Sequence, residues 1–320
     1  MAEQYEFEIL QSRPVEAEPD RADSIRRLNN RQVSATLGDF KDSAQYYQPD
    51  EALITAINMA LAVGAPLLVT GEPGTGKTQV AHYLAWYFGI PVYEYTVRST
   101  SESADLKYDF DAVRWLRNAH QQELINNPIT EQQRPLEKRD CLDKRALWHA
   151  YECESQCVLL IDEIDKAPRD FPNDLLQELD KHEFADPLDQ ARKIKAHNPQ
   201  QPPIVVITSN AERRLPDAFL RRCIYHFIEL DAALLSRAVE ARVGDFPHLD
   251  VASRDLAVEK FLELRDIQTL VKKPATGEIL IWLNILSAQG VNAEQFRVEQ
   301  LSELPAIRAL IKDQDDFKKL

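Results

Sequence analysis

The sequence predicts an α/β fold in which a parallel sheet is covered by helices on both faces and followed by a smaller, all-helical domain. Three observations predict it. Short apolar runs rich in β-branched residues alternate with helical stretches between residues 66 and 228, the pattern of parallel strands buried on both sides. The first of these runs feeds a glycine-rich turn that opens a helix. After about Leu230 strand-forming runs stop and amphipathic helical patterns replace them.

Residues 1–45 are rich in Glu, Asp, Arg, Asn and Gln without a sustained period, which reads as an extended or partly helical arm. Asp50 fits an N-cap for a largely apolar helix carrying Leu53, Ile54, Ile57, Met59, Ala60 and Leu61 and ending near Gly64. Strands are expected over 66–70, 92–97, 157–161, 204–209 and 225–228, with a helix after the first strand running to about Phe88. Residues 121–139, polar with two prolines, read as an exposed insertion. Helices are expected over 232–243, 255–264, 276–288 and 304–311. The expected organisation is an arm over 1–45, an α/β nucleotide-binding domain over 46–230 and a helical lid domain over 231–320.

Bulk properties narrow the function classes. A chain of 320 residues has room for about two domains, and 44% hydrophobic with 28% charged residues is ordinary for a folded protein. The net charge of −14 argues against a dominant nucleic-acid-binding surface. No apolar run is long enough to span a bilayer, and the first residues lack the basic-then-apolar pattern of a signal peptide. Four cysteines (Cys141, Cys153, Cys157 and Cys223) make no disulfide framework. Cys153 and Cys157 have no second pair at zinc-finger spacing and read as structural or incidental thiols. The expected compartment is the cytoplasm.

The strongest local signal is Gly71-Glu72-Pro73-Gly74-Thr75-Gly76-Lys77-Thr78, followed by Gln79, which fits G-x-x-x-x-G-K-[ST] in full. The chain has nine glycines, and three fall within these six positions from 71 to 76. Glycine lets successive backbone N–H groups curl around phosphate oxygens, and the helix N-terminus adds partial positive charge. Residues 71–79 are therefore the expected nucleotide-binding stretch of a P-loop NTPase. Lys77 is placed on the β- and γ-phosphates of ATP, and the Thr78 hydroxyl on Mg2+.

The run Val158-Leu-Leu-Ile-Asp-Glu-Ile-Asp165 ends a buried strand on carboxylates. Asp162 is placed beside Mg2+. Glu163 is placed toward the attacking water as general base. Asp165 is open to a structural or interface role. A second buried strand ends at Asn210, whose side-chain amide can hold the attacking water between itself and Glu163.

These three motifs in this order resemble an AAA+ ATPase. With Asn210-Ala-Glu-Arg-Arg-Leu-Pro-Asp-Ala-Phe-Leu-Arg-Arg-Cys223, Tyr47-Gln-Pro-Asp-Glu and the loop reading GEPGTGKTQVA, the chain resembles the MoxR family, in particular its CoxD-like branch, from about Tyr46 to Leu286. The resemblance implies a large α/β nucleotide domain with a small helical lid and assembly into homo-oligomeric rings, commonly hexamers. It also implies chaperone-like remodelling of a client protein, often with a partner carrying a von Willebrand factor A domain that itself binds Mg2+. Arg222 matches the arginine finger that reaches the neighbouring subunit's γ-phosphate, with Arg221 as the alternative. Many family members carry a lid arginine just after a proline. Here Pro274 is followed by Ala275, which leaves Lys272 or Lys273 to supply the charge, without arginine's fork. In the resembled classes a hairpin occupies the place of residues 182–203 and often faces the ring pore; Arg192, Lys193 and Lys195 make this stretch locally basic.

The leading expectation is thus ATP hydrolysis in an oligomeric ring, coupled to remodelling of a protein client. A second is a nucleotide-dependent assembly switch or scaffold in a bacterial conflict or signalling system, supported by the altered lid position. A nucleic-acid motor ranks last, because of the acidic balance and the want of a recognisable nucleic-acid-binding segment.

Overall fold

The computed structural model describes residues 21–30, 43–117 and 137–320. Most of the expected insertion at 121–139 lies outside the described residues. The chain forms two compact units. One contains Pro49–Glu72 and Lys77–Ile228; the other contains Pro73–Gly76, Glu229–Leu320 and the described residues up to Gln48.

In the first unit, α2 (Glu51–Val63) starts where the Asp50 carboxylate accepts the Leu53 N–H at 2.7 Å and stops at Gly64, whose φ of 66° suits glycine. Then come β1 (Leu67–Gly71), α3 (Lys77–Phe88), β2 (Val92–Thr96), β3 (Tyr108–Phe110), β4 (Leu142–Lys144), α4 (Ala146–Glu152), β5 (Val158–Asp162) and α5 (Phe171–Lys181). The remainder is β6 (Glu183–Asp186), β7 (Asp189–Lys195), β8 (Ile204–Ser209), α6 (Asp217–Leu220) and β9 (Ile224–Ile228). Helix α1 (Arg21–Asn30) lies within the expected arm.

Five strands form one parallel sheet in the order β2-β5-β8-β1-β9, flanked by helices, as the apolar runs predict. The three central strands are buried almost throughout, whereas β2 and β9 at the edges are only partly covered. Strand β1 begins one residue later than expected. Pro66 has no N–H to give to a ladder, although its carbonyl accepts from Ile224 at 2.8 Å. Strand β5 likewise runs to Asp162 rather than Ile161, because Asp162 still pairs with Thr96 on β2. The core packs Leu68, Leu159, Ile161 and Ile207 of the sheet with Trp148, Tyr151, Leu175 and Leu179 of α4 and α5. The carboxyl ends of β1, β5 and β8 are neighbours, where open parallel sheets bind ligands.

Strands β6 and β7 pair antiparallel as a hairpin, at the place the family resemblance implies. Its basic side chains are matched by its own acids. Lys193 and Lys195 both pair with Glu183, while Arg192 and Arg139 converge on the buried Asp186.

The second unit is built on α7 (Ala232–Glu240), α8 (Val251–Asp266), α9 (Thr276–Gln289) and α10 (Gln314–Phe317). Leu235, Phe261, Leu264, Trp282, Leu286 and Phe296 form its buried centre. Helix α7 ends at Glu240, short of the expected 243, and α8 begins early because Asp250 caps it through the Ser253 N–H at 2.7 Å. The helix expected over 304–311 is absent; only the 3-10 turn Ile307–Ala309 forms there. Pro305 disfavours a helical Leu304, and Ala306 adopts a left-handed φ of 51° that interrupts any helix.

The end of the chain fastens a loop of this unit. The buried Asp316 carboxylate accepts the N–H groups of Val271 (2.9 and 3.1 Å) and Lys272 (3.0 Å) and pairs with Lys319 at 2.8 Å. The Lys319 bond, then those two backbone donors, lower its pKa to about 2. A carboxylate whose folded pKa lies below its unfolded value of about 3.9 stabilises the fold above that value, and the contribution is lost as pH falls through the folded one. Asp316→Asn is therefore expected to melt at lower temperature than the wild type at neutral pH. The gap should close as pH falls toward 2, which thermal unfolding followed by circular dichroism across pH will read.

Candidate nucleotide site

The glycine-rich loop owes its path to left-handed backbone. Gly74 has φ +77° and Gly76 +87°. A Cβ on Gly74 would lie 2.4 Å from the Ala275 Cβ, and one on Gly76 would lie 3.1 Å from the Tyr47 ring. Both positions therefore require glycine on conformational and steric grounds. Glu72, Pro73 and Gly74 are exposed at the tip and Thr75 is buried, while Thr78 and Gln79 sit in the first turn of α3.

Lys77 opens α3 and is 6% exposed. Its Nζ donates to the Gly71 carbonyl at 3.0 Å and the Glu72 carbonyl at 2.7 Å. Burial pushes its pKa down, and Asp162, Asp165, Glu163 and Glu72 pull it back. An anion brought to this ammonium would offset the desolvation.

The end of β5 meets the loop directly. Thr78 Oγ1 donates to Asp162 Oδ1 at 3.0 Å. Thr208, on β8, donates its own hydroxyl to the same oxygen at 2.6 Å and accepts the Glu163 N–H at 2.9 Å. One hydroxyl thus ties two adjacent strands together where both carboxylates emerge. Glu163 has a left-handed φ of 59°, a conformation costing a non-glycine residue about 1–3 kcal/mol and met most often at functional positions. The Thr208 bond helps to hold it there.

The Glu163 side chain ends at two neighbours. Its Oε2 accepts from Lys166 Nζ at 2.6 Å, and its Oε1 lies 3.5 Å from Asn210 Nδ2. Glu163 and Asn210, expected to hold a water between them, thus lie side by side and approach each other directly. Asp165 is buried and accepts the N–H groups of Asn210 (3.2 Å) and Glu212 (3.0 Å), so it shapes the turn that carries Asn210.

Arg222 stands apart from these groups in its own network. Its Nε pairs with Asp180 at 2.7 Å and its Nη1 donates to the Ala218 carbonyl at 2.9 Å. It is exposed, as is Arg221. In the helical unit, Ala275 donates its N–H to Glu278 at 3.1 Å, and Lys272 and Lys273 are exposed. The buried Arg265 there donates to the Pro274 carbonyl. Thr208, Lys166 and Arg265 were not singled out from sequence. Thr208 could have been sought as the hydroxyl two positions before Asn210.

A loop that only glycine can follow, a lysine at the start of a helix, and a hydroxyl and carboxylate converging at the end of the adjacent strand fit the P-loop fold of the AAA+ kind. The family described as AAA domain (dynein-related subfamily) matches residues 66–223, which span four of the five sheet strands and stop just before β9. Residues 66–223 are thus similar to an AAA domain, a class that implies nucleotide binding. Among curated proteins none matches the chain.

The donor set fits a triphosphate with its magnesium ion. The loop backbone and Lys77 suit phosphate oxygens, and the Thr78 hydroxyl with the Asp162 carboxylate supplies the hard oxygen donors that Mg2+ accepts alongside phosphate and water. Among the described residues no cluster of three His, Cys, Asp or Glu suited to a metal ion occurs, and Mg2+ at a P-loop needs none. Among them, too, no helix is long and apolar enough to cross a membrane.

Proposed function

We propose that this protein hydrolyses Mg-ATP at a site completed by a neighbouring copy, and uses the cycle to remodel a partner protein. The observation that carries the reading is the continuous set of hydrogen bonds from Thr78 through Asp162 and Thr208 to the Glu163 backbone, which joins the phosphate loop to the candidate base. In this reading the backbone of residues 71–78, through its N–H groups other than at Pro73 and with Gln79 behind them, holds the phosphates, and Lys77 neutralises the β- and γ-oxygens. Thr78 and Asp162 hold Mg2+, which when bound neutralises charge developing on the phosphates. Glu163 takes the proton of the attacking water, and the Asn210 amide orients that water. Arg222 serves the next subunit through Nη2, with Asp180 holding its Nε and the Ala218 carbonyl its Nη1.

The finer assignments belong to the same proposal. They are a MoxR-type, CoxD-like chaperone ATPase in the cytoplasm, a ring that is a hexamer by family resemblance, and a client acting with a von Willebrand factor A domain. The 46–230 and 231–320 division places hydrolysis in the first domain and its lid in the second. A nucleotide-dependent switch is the second reading, favoured by Ala275 standing where many relatives have arginine. The neutralised hairpin and the net charge of −14 weigh against a nucleic-acid motor.

Steady-state ATPase rate per subunit, measured across a protein concentration series with assembly followed by light scattering, tests the shared site. Specific activity is expected to rise with concentration, and Arg222→Ala to lower it by about 10³- to 10⁵-fold with ATP binding retained. Activity independent of concentration and of Arg222 would remove the finger. Tight binding with no turnover would favour the switch.

A further inference from the structure

Cys153 follows the last residue of α4, and Cys157 is the residue before β5. Between them Glu154 and Ser155 form an exposed bend that turns the chain back. The Cys157 thiol is 1% exposed and donates to the Ala150 carbonyl of α4 at 3.5 Å, so it faces the end of the helix where Cys153 lies. Cys153 is half-buried. Its Sγ lies 3.6 Å from the Ser155 hydroxyl and within hydrogen-bonding reach of both the Cys157 thiol and the Tyr93 hydroxyl. The Tyr93 ring is held in turn by stacking on His149 of α4, with centroids 5.7 Å apart. We infer from this placement that Cys153 and Cys157 are a modification site for small hydroperoxides, in which Cys153 is oxidised first and Cys157 closes a reversible disulfide onto it.

The two thiols are unequal in the way such a division of labour requires. Burial pushes the Cys153 thiol up, but hydrogen bonds from Ser155, Tyr93 and Cys157 outweigh it, and its pKa falls below the ordinary thiol value. Burial, and then Cys153 beside it, push Cys157 up to about 12. Of the other two cysteines, Cys141 is 1% exposed, and burial with Asp180 nearby pushes Cys223 up to about 12. The thiolate is the nucleophile, so Cys153 starts the chemistry. A cavity of about 110 Å³ bordered by Ala150, Cys153, Ser155, Gln156 and His197 gives it an approach. That is a few times the roughly 30 Å³ share of one water molecule, enough for a hydroperoxide.

The Cys153 thiolate attacks one peroxide oxygen, the O–O bond breaks, and the departing hydroxide takes a proton to become water. Cys153 is then a neutral sulfenic acid. The negative neighbour that helped to keep the proton on Cys157 has gone, so Cys157 is freer to react. Its sulfur attacks the Cys153 sulfur, the S–O bond breaks, and the hydroxide leaves as water with the Cys157 proton. In sum, two thiols lose two electrons and the peroxide is reduced to two waters. The exposed bend at Glu154 and Ser155 is the part of the chain that yields as the sulfurs close to a bond of about 2.05 Å.

The test uses the full-length protein, reduced, freed of reductant and exposed to hydrogen peroxide at neutral pH. It is then denatured for thiol counting, with the oxidised residues located by peptide mass mapping. The wild type is expected to fall from four thiols to two, with residues 153 and 157 linked within one chain, and to regain both with dithiothreitol. Cys153→Ser is expected to keep its remaining thiols over the same exposure, and Cys157→Ser to stop at a Cys153 that reacts with dimedone. A wild type that keeps all four thiols, or that forms a disulfide through Cys141, through Cys223 or between chains, would overturn the proposal. Thiol loss in Cys153→Ser as fast as in the wild type would overturn it too, because Cys157 would then be attacked directly. Should Cys157→Ser unfold, the wild-type mapping and the half-buried Cys153→Ser decide the matter without it.

Discussion

Lys77→Ala is expected to bind Mg-ATP about 10- to 100-fold more weakly than the wild type and to hydrolyse none measurably. The Lys77 ammonium is buried at the root of the loop and turned onto the Gly71 and Glu72 carbonyls. It is the cation closest in sequence to the phosphate-binding backbone. A charge-assisted hydrogen bond contributes about 1.5–3 kcal/mol, which gives the expected loss of affinity, and the same charge offsets the one developing on the transferred phosphoryl group. Folding should survive, since the removed ammonium carries a desolvation penalty. Isothermal titration with ATP and MgCl2, beside a melting curve, measures both. Affinity unchanged in Lys77→Ala would place the phosphates elsewhere.

Glu163→Gln is expected to separate binding from turnover. The amide keeps the size and the contact near Asn210 but cannot take a proton, and the loss of a general base costs about 10²- to 10⁴-fold. Nucleotide affinity should hold, because the Asp162–Thr78 contact and the Thr208 bond to the Glu163 N–H do not involve the lost carboxylate. Phosphate release at saturating ATP, beside direct binding of ATP, reads the two effects independently. A Glu163→Gln protein that hydrolyses ATP at the wild-type rate would remove Glu163 as the base.

The two expectations come from the part of the molecule that is most legible in the sequence. A strand buried on both faces writes itself as a continuous apolar run, so β1, β5 and β8 stand out, and the residues that end them are the site. The glycines at 74 and 76 are legible from their spacing in the loop, where glycine lets the backbone curl around phosphate oxygens, and both adopt a left-handed φ. What the sequence leaves hidden depends on partners far along the chain or on signals that compete. Thr208 acts only because β8 lies beside β5 in parallel register, with Ile161 opposite Ile207. Asp316 reaches a loop 45 residues away. The basic run in the hairpin suggests an open charged surface, yet Glu183 and Asp186 answer it from the facing strand. Residues 304–311 carry a helical spacing of apolar side chains, and Pro305 with the left-handed Ala306 overrides it.

The most direct test of the account is phosphate release by the wild-type protein under saturating Mg-ATP, with bound nucleotide measured in the same sample. The account predicts one nucleotide bound per site and steady release of phosphate that stops when Mg2+ is chelated. Release that continues without Mg2+, or an absence of ATP binding, would contradict it.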